Sequence, residues 1–228
     1  MESQCDFGTV KVCIFDVNGV LIDSNRSNAL AMGESFSSDP GLRDRIADFY
    51  LTLTGIDRGT KIRTIQDEVI GRPFREGEFE ERWENFKKFG VSAMLSAPLG
   101  KGCREVLACL GKRKITRAAL SNTPERELLR ILAAKGLDPS LDLVRGGGDW
   151  PKSESLTRFL AEFNFDPAEC IFLGDGKGDL AAARHAGVRF FGIDPGTGEF
   201  AGREGVCGPF RNLAEWADSV LAAGWERE

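Results

Sequence analysis

The sequence predicts an α/β fold, with a Rossmann-like parallel sheet of about five strands as its core and an all-helical cap inserted into that core. Three observations support this prediction. From residue 98 onward, short apolar runs alternate with helical patterns. Residues 24–97 hold several helical patterns but no convincing strand. Polar and charged residues follow the apolar runs, as they do where a parallel sheet ends in a ligand site.

The predicted strands are the short apolar runs of the chain, and they span residues 10–15, 115–120, 141–144, 170–173 and 188–193. Amphipathic helices are predicted between them from apolar residues at helical spacing. Gly136 and Gly187 end two of these helices, since glycine adopts the left-handed cap conformation at little cost. Asn212, with Glu215 three residues later, indicates the start of a last helix.

Residues 24–97 break the alternation of strands and helices. This segment follows the first strand directly and is too long for an ordinary crossover to the next one. We therefore predict two domains, a core of residues 1–23 and 98–228 and a helical cap of residues 24–97. Inside the cap, the stretch "LTGIDRGTKIR" (53–63) is predicted to join two helices.

The composition is ordinary for a globular protein of 228 residues, with 42% hydrophobic and 29% charged residues. A net charge of −5 and a pI near 5.2 argue against a nucleic-acid partner, which usually requires a basic face. No apolar stretch approaches membrane-spanning length and no signal pattern begins the chain, so no membrane partner is expected. Six cysteines without a CxxC pair favour a reduced, cytoplasmic protein. A monomer and a homodimer are both compatible with these features.

Polar residues follow four of the five predicted strands in turn. In chain order they are Asp16 and Asn18, Ser121 and Asn122, Lys152, and Asp175 and Asp179. Because ligands bind beyond the carboxyl ends of parallel strands, these side chains are expected to converge on one edge of the sheet. A single such residue is usually a turn or cap residue. Four groups in order are much stronger evidence of a site.

The residue types indicate a site for Mg²⁺ and a phosphate group. Carboxylate oxygens are hard ligands of the kind that Mg²⁺ prefers. A lysine, a hydroxyl and backbone N–H groups can neutralise the oxygens of a phosphate. The expected partner is therefore a small phosphorylated molecule.

The motifs resemble those of the haloacid dehalogenase superfamily, in the phosphoglycolate-phosphatase-like and β-phosphoglucomutase-like branch with a helical cap. The resemblance rests on "FDVNGVLIDS" (15–24), on Ser121 with Asn122, on Lys152 and on "GDGKGDLAAARHAG" (174–187). It covers nearly the whole chain. It implies a hydrolase, a phosphatase of small-molecule phosphate esters or acyl phosphates that depends on Mg²⁺.

The resemblance also implies roles for the residues. Asp16 is the nucleophile that attacks phosphorus and forms an aspartyl-phosphate. Lys152 and Ser121, with the neighbouring Asn122, hold the transferring phosphoryl group. The carboxylates of Asp16 and Asp175 and the backbone carbonyl of Asn18 bind Mg²⁺. Asp179 completes or supports that metal shell.

Asn18 departs from the family pattern, which usually has a second aspartate there as the general acid and base. An amide cannot transfer that proton, whereas its backbone carbonyl still serves a metal. Four explanations stay open. The leaving group needs no proton, as in an acyl phosphate; a donor comes from the cap or the substrate; the protein is a weak or non-catalytic phosphate-ligand binder; or an Asp→Asn change has been introduced.

Two further hypotheses concern the cap. A phosphonate hydrolase would use a cap lysine as a Schiff base, and Lys61, Lys87 and Lys88 are the candidates. A dehalogenase that works without Mg²⁺ is disfavoured by the retained acidic residues after the fourth strand. In capped relatives a loop in this part of the cap contacts the substrate, so Gly55, Arg58 and Lys61 are predicted substrate-binding residues. The alternative for this loop is a solvated turn.

Overall fold

The protein has two compact units in the computed structural model, which describes residues 7–147 and 150–221. One unit combines the described residues before Ile22 with those after Pro98, and the other is Ile22–Pro98. The first unit contains the sheet. The second is helical, and no strand occurs among its residues 25–96.

The sheet has six parallel strands in the order β3-β2-β1-β4-β5-β6. They are β1 Val12–Phe15, β2 Thr116–Pro124, β3 Leu143–Gly147, β4 Cys170–Gly174, β5 Arg189–Ile193 and β6 Val206–Phe210. The predicted α/β fold class with a parallel sheet is confirmed, and the first and fourth strands are neighbours. The four residues of β1 are all buried, as are the five of β4. Both strands therefore read as continuous apolar runs, which is typical of central parallel strands.

The number of strands and some strand bounds differ from the prediction. A sixth strand, Val206–Phe210, lies at the edge, and no apolar run marks it because Gly208 and Pro209 are exposed within it. The second strand is longer than predicted and runs to Pro124, with an irregular register after Leu120. Ser121 and Asn122 therefore lie in the last part of β2 rather than beyond its end.

The helices are α1 Asn25–Phe36, α2 Pro40–Thr52, α3 Arg58–Ile65, α4 Glu78–Ser96, α5 Cys103–Lys112, α6 Glu125–Ala134, α7 Lys152–Glu162, α8 Lys177–Ala186 and α9 Leu213–Val220. Among the described residues, none of these helices is long and apolar enough to cross a membrane. Apolar residues of α7 and α8 pack with Val12, Ile14 and Phe172 in one buried cluster. Cys13 and Phe15, which alternate with those β1 residues, are fully buried as well. Because successive residues of a strand point to opposite faces, both faces of the sheet are covered at β1.

The helical unit has a core of its own. Met32, Ile46, Ile62 and Phe86 meet in one apolar cluster to which four helices contribute. The aspartates before α2 and α3 cap those helices, each by accepting a backbone N–H three residues on. A π-helical turn, Gln66–Ile70, continues α3.

Five cysteines lie among the described residues, and all of them are free thiols. Cys13 and Cys170 are buried in β1 and β4, as their positions in apolar runs predict. Cys5 lies outside the described residues.

Candidate active site

A buried lysine joins two carboxylates at the carboxyl edge of the sheet. Lys152 is the first residue of α7, and its Nζ lies 2.6 Å from Oδ1 of Asp16 and 2.5 Å from Oδ1 of Asp179. The three residues are exposed by 8%, 5% and 2%, respectively. Such burial removes the water that would screen the charges, so each group depends on the others.

The pKa values reflect this mutual dependence. Burial raises the pKa of the Asp16 carboxyl to about 6, although the adjacent Lys152 ammonium opposes the rise. Burial also disfavours the charged form of Lys152, but the two carboxylates outweigh it and raise the pKa of Lys152 above its usual value. At neutral pH, Asp16 is therefore a carboxylate and Lys152 an ammonium.

Asp16, Asp175 and Asp179 form an acidic cluster, in which one carboxylate oxygen of each lies within 4.8 Å of the others. Asp16 follows β1, and its N–H donates to the carbonyl of Leu173 on β4. This backbone bond ties the end of β1 to the strand that leads into Asp175. The structure thus brings together residues from the first, third and fourth predicted polar groups, namely Asp16, Lys152, and Asp175 with Asp179.

Hydrogen bonds and close packing both fix the side chain of Asp179. Its Oδ2 accepts the backbone N–H groups of Asp175 at 3.1 Å and Gly176 at 3.0 Å, at the start of α8, where a helix supplies no acceptors for such groups. A Cβ on Gly174 would lie 2.4 Å from the Cβ of Asp179, so only glycine leaves room for this side chain.

The acidic cluster fits a divalent cation such as Mg²⁺. The carboxylates supply hard oxygen donors. Oδ1 of Asp179 is buried, and it lies 2.5 Å from the Lys152 ammonium. Because a carboxylate oxygen can accept more than one contact, it retains a lone pair that a cation could use.

Hydrogen bonds link Asn18 and Ser121 through Thr123, a residue that was not predicted from the sequence. The Asn18 side-chain amide donates to Oγ1 of Thr123 at 3.3 Å, and the Thr123 N–H donates to Oγ of Ser121 at 3.1 Å. Gly19 has a φ of +82°, which lets the chain turn directly after Asn18. Thr123 is buried and lies two residues beyond Ser121 in β2. The two-residue strand period could have identified it.

Asn122 has a different environment from Ser121. It is half-buried, and its backbone carbonyl lies against β3, where a Cβ on Gly147 would come within 2.2 Å of it. The structure therefore shows its backbone role in joining β2 to β3.

The predicted cap residues lie where α2 leads into α3. Gly55 has a φ of +73°, and Arg58 begins α3 with its guanidinium 5.3 Å from the ring centroids of Trp83 and Phe86. The Lys61 ammonium lies 4.1 Å from the ring of Tyr50. These cations pack on aromatic faces of the helical unit itself.

The other two lysine candidates, Lys87 and Lys88, are exposed on α4. Lys87 lies 3.4 Å from a carboxylate oxygen of Glu84, and Lys88 lies 6.0 Å from the ring of Phe89. A Schiff-base lysine is usually activated by desolvation. Neither side chain has the burial that would provide it.

The fold is a Rossmann-like α/β fold, and its acidic cluster lies at the carboxyl ends of the parallel strands, where such folds bind ligands. The sequence model of the haloacid dehalogenase-like hydrolases matches residues 10–187, and the chain belongs to this family. The predicted family and the predicted hydrolase class are therefore confirmed.

Known proteins agree with this assignment. A curated phosphoglycolate phosphatase from Haemophilus influenzae (strain 86-028NP) is 26% identical over 194 residues, which cover 82% of this chain and 86% of the relative. The crystal structure of a predicted phosphoglycolate phosphatase from Haemophilus somnus 129PT matches with a TM-score of 0.69 at 21% identity, over 81% of this chain and 85% of that chain. CbbY from Rhodobacter sphaeroides, in complex with phosphate, matches with a TM-score of 0.73 at 19% identity, over 93% and 99%. At these identities the two structures show a shared fold.

Proposed function

We propose that the protein is a Mg²⁺-dependent phosphatase that acts on a small phosphate ester or acyl phosphate through an aspartyl-phosphate on Asp16. The observation that carries this proposal is the contact of one buried ammonium, that of Lys152, with Asp16 and Asp179 beside a third carboxylate. The curated phosphatase relative supports the choice of phosphate chemistry.

In the proposed reaction, a carboxylate oxygen of Asp16 attacks phosphorus while the P–O bond to the leaving group breaks. The leaving oxygen takes that electron pair, and the phosphoryl group becomes bonded to Asp16. Lys152 offsets the charge of the attacking carboxylate, which would otherwise repel a phosphate dianion. Its contact at 2.6 Å also fixes the direction of the Asp16 side chain.

Asp16, Asp175 and Asp179, with the backbone carbonyl of Asn18, are the residues that would hold Mg²⁺. When bound, the ion neutralises the phosphate oxygens and the charge that develops on them. The hydrogen bonds from the backbone N–H groups of Asp175 and Gly176 keep the Asp179 side chain oriented toward this cluster. Ser121 is proposed to bind the phosphoryl group, in line with its burial at the end of β2.

Asn18 shapes the proposed substrate range. Its amide donates to Thr123 and has no acidic proton for a leaving alkoxide. An acyl phosphate leaves as a carboxylate and needs none, so such substrates should react faster than alkyl phosphates. Water must then break the P–O bond to Asp16 without a carboxylate base at this position. The same amide favours the second candidate, a protein that binds phosphorylated ligands without turnover.

The proposal is tested by phosphate release from a substrate panel with Mg²⁺. Acetyl phosphate, phosphoglycolate and sugar phosphates belong in the panel. The Asp16→Ala variant and EDTA should each abolish release. Asp166→Ala is the matched control, because Asp166 precedes β4 at the opposite sheet edge and caps a turn there by accepting the Ala168 N–H. This variant should keep the parent activity.

Three other outcomes would each redirect the assignment. Silence across the panel with phosphate-ligand binding intact would favour the binding protein. An aldehyde that becomes linked to a cap lysine on borohydride reduction would favour the phosphonate hydrolase. Release that survives Asp16→Ala would remove the aspartyl-phosphate from the mechanism.

A further inference from the structure

The loop between β5 and β6 is organised by one buried carboxylate. Asp194 directly follows β5 and is 6% exposed. Its Oδ1 accepts the N–H of Gly196, the N–H of Thr197 and the Thr197 hydroxyl at 2.6–2.9 Å. Its Oδ2 accepts the N–H of Glu199 at 2.9 Å. Four donors on one carboxylate give residues 194–199 a defined shape.

The same loop is held against the core by Phe200. This ring is 3% exposed and belongs to the buried cluster that includes α7 and α8. Its centroid lies 5.5 Å from that of Phe190 on β5. Glu199 therefore lies between two anchors, the carboxylate of Asp194 and the buried ring of Phe200.

Glu199 contacts the start of α8. Its Oε1 accepts the backbone N–H of Lys177, the first residue of α8, at 3.2 Å. The side chain of Glu199 is only 15% exposed. An acidic group at this place satisfies an N–H that the helix leaves unpaired and interacts favourably with the helix dipole. Farther along α8, the Arg184 guanidinium donates to the carbonyl of Glu204, so the loop also holds the later part of the helix.

Two members of the acidic cluster flank the first residue of α8. Asp175 lies two residues before Lys177, and Asp179 lies two residues after it. The N–H groups of Asp175 and Gly176 are bound by Asp179 from within the turn. Glu199 binds the next N–H from outside, so the consecutive N–H groups of residues 175–177 all have carboxylate acceptors.

We propose that Glu199, held by Asp194, is a positioning residue for the acidic cluster. It fixes the Lys177 N–H and thereby the turn that sets the distance between Asp175 and Asp179. This inference rests on the proposed function, in which that cluster holds Mg²⁺. Glu199 acts through the backbone and does not bind the metal itself.

The test is direct titration of the purified protein with Mg²⁺ by calorimetry, alongside Mg²⁺ activation of phosphate release. Glu199→Ala should raise the dissociation constant for Mg²⁺ by about tenfold, the effect expected when a partner that orients metal ligands is lost. The kcat at saturating Mg²⁺ should change little, because the reacting groups are unaltered. Glu199→Gln should restore affinity, since its amide oxygen can accept the same N–H.

Glu215→Ala is the matched control. Glu215 lies in the first turn of α9 and accepts the N–H of Arg211 at 2.8 Å, but α9 carries no member of the acidic cluster. It should lower thermal stability to a similar degree as Glu199→Ala and leave Mg²⁺ affinity unchanged.

The outcomes separate this inference from the proposed function. Parent protein that neither binds Mg²⁺ nor releases phosphate would overturn the proposed function and this inference with it. Parent protein that does both, with a Glu199→Ala variant of equal Mg²⁺ affinity, would overturn only the positioning role. Equal weakening in Glu199→Ala and Glu215→Ala would also overturn it, because the effect would then be general destabilisation.

Discussion

Replacing Asn18 by aspartate is the change that most directly tests how the site handles protons. The side chain is half-buried and donates to Thr123 Oγ1 over 3.3 Å, a long hydrogen bond. A carboxylate at this position can instead accept the Thr123 hydroxyl, since a hydroxyl both donates and accepts. The geometry of the β1 end should therefore survive Asn18→Asp.

The expected gain follows from the chemistry of the leaving group. A general acid or base contributes about 10²- to 10⁴-fold, so turnover of alkyl phosphates should rise by about 10²-fold or more. That factor corresponds to about 2.7 kcal/mol of activation free energy. Three carboxylates and one ammonium leave the site with a formal charge of −2, and the substitution makes it −3. The variant should therefore be less stable than the parent without Mg²⁺, and the difference should shrink when Mg²⁺ is added.

The assay compares initial rates on an alkyl phosphate and an acyl phosphate, with Mg²⁺ in excess. The parent should accumulate phosphorylated Asp16, detected by mass spectrometry after brief exposure to acetyl phosphate, and Asn18→Asp should clear it. Asn122→Asp, which introduces the same charge on the end of β2, is the matched control and should bring no gain. An unchanged or lower alkyl-phosphate rate in Asn18→Asp would refute the reasoning, and the proton donor would then have to be sought in the cap or the substrate.

Three further substitutions probe the charges and the packing around the site. Lys152→Met leaves its two carboxylate partners buried without an ammonium, so the free energy of unfolding should fall by about 3–5 kcal/mol without Mg²⁺; unchanged melting would contradict the pairing. Gly174→Ala places a methyl group 2.4 Å from the Cβ of Asp179, which should cost about 1–3 kcal/mol in stability and weaken Mg²⁺ activation. A Mg²⁺ titration equal to that of the parent would argue against the tight fit. Burial opposes ionisation of Asp194, but hydrogen bonds led by that from Thr197 outweigh it and lower its pKa below the usual 3.8. The stability from Asp194 is therefore present above about pH 4 and lost as the pH falls through the lowered pKa, so Asp194→Asn should flatten the decline of stability below about pH 4 in urea titrations; parallel curves would speak against this role.

The sheet could be predicted because burial on both faces leaves a clear mark on the sequence. β1 and β4 are continuous apolar runs, and they lie side by side in the sheet. The edge strand Val206–Phe210 could not be predicted in this way, since it is half-exposed and contains glycine and proline. Edge strands need less apolar surface, so the signal that identifies central strands is missing there.

Part of the candidate site could likewise be predicted from the sequence, and part could not. Asp16 and Lys152 are 136 positions apart, yet their approach follows from a rule that depends only on parallel topology. The contacts of Glu199 with Lys177 and of Asp194 with its own loop follow from no such rule. They depend on how one loop folds back on a helix, and neither residue lies in a sequence pattern that distinguishes it from the exposed carboxylates of the chain.

The charge of the site links metal and substrate. Lys152 offsets one of three carboxylates, so the cluster without a metal carries a formal charge that repels a phosphate dianion. A bound Mg²⁺ would bring that formal charge to zero, and the site would then offer a phosphate group the cation and the Lys152 ammonium together. Mg²⁺ should therefore strengthen the binding of phosphate, and by linkage phosphate should strengthen the binding of Mg²⁺ by the same factor. Lys152 alone cannot neutralise an incoming phosphate, because its charge is already shared by Asp16 and Asp179 at 2.6 and 2.5 Å.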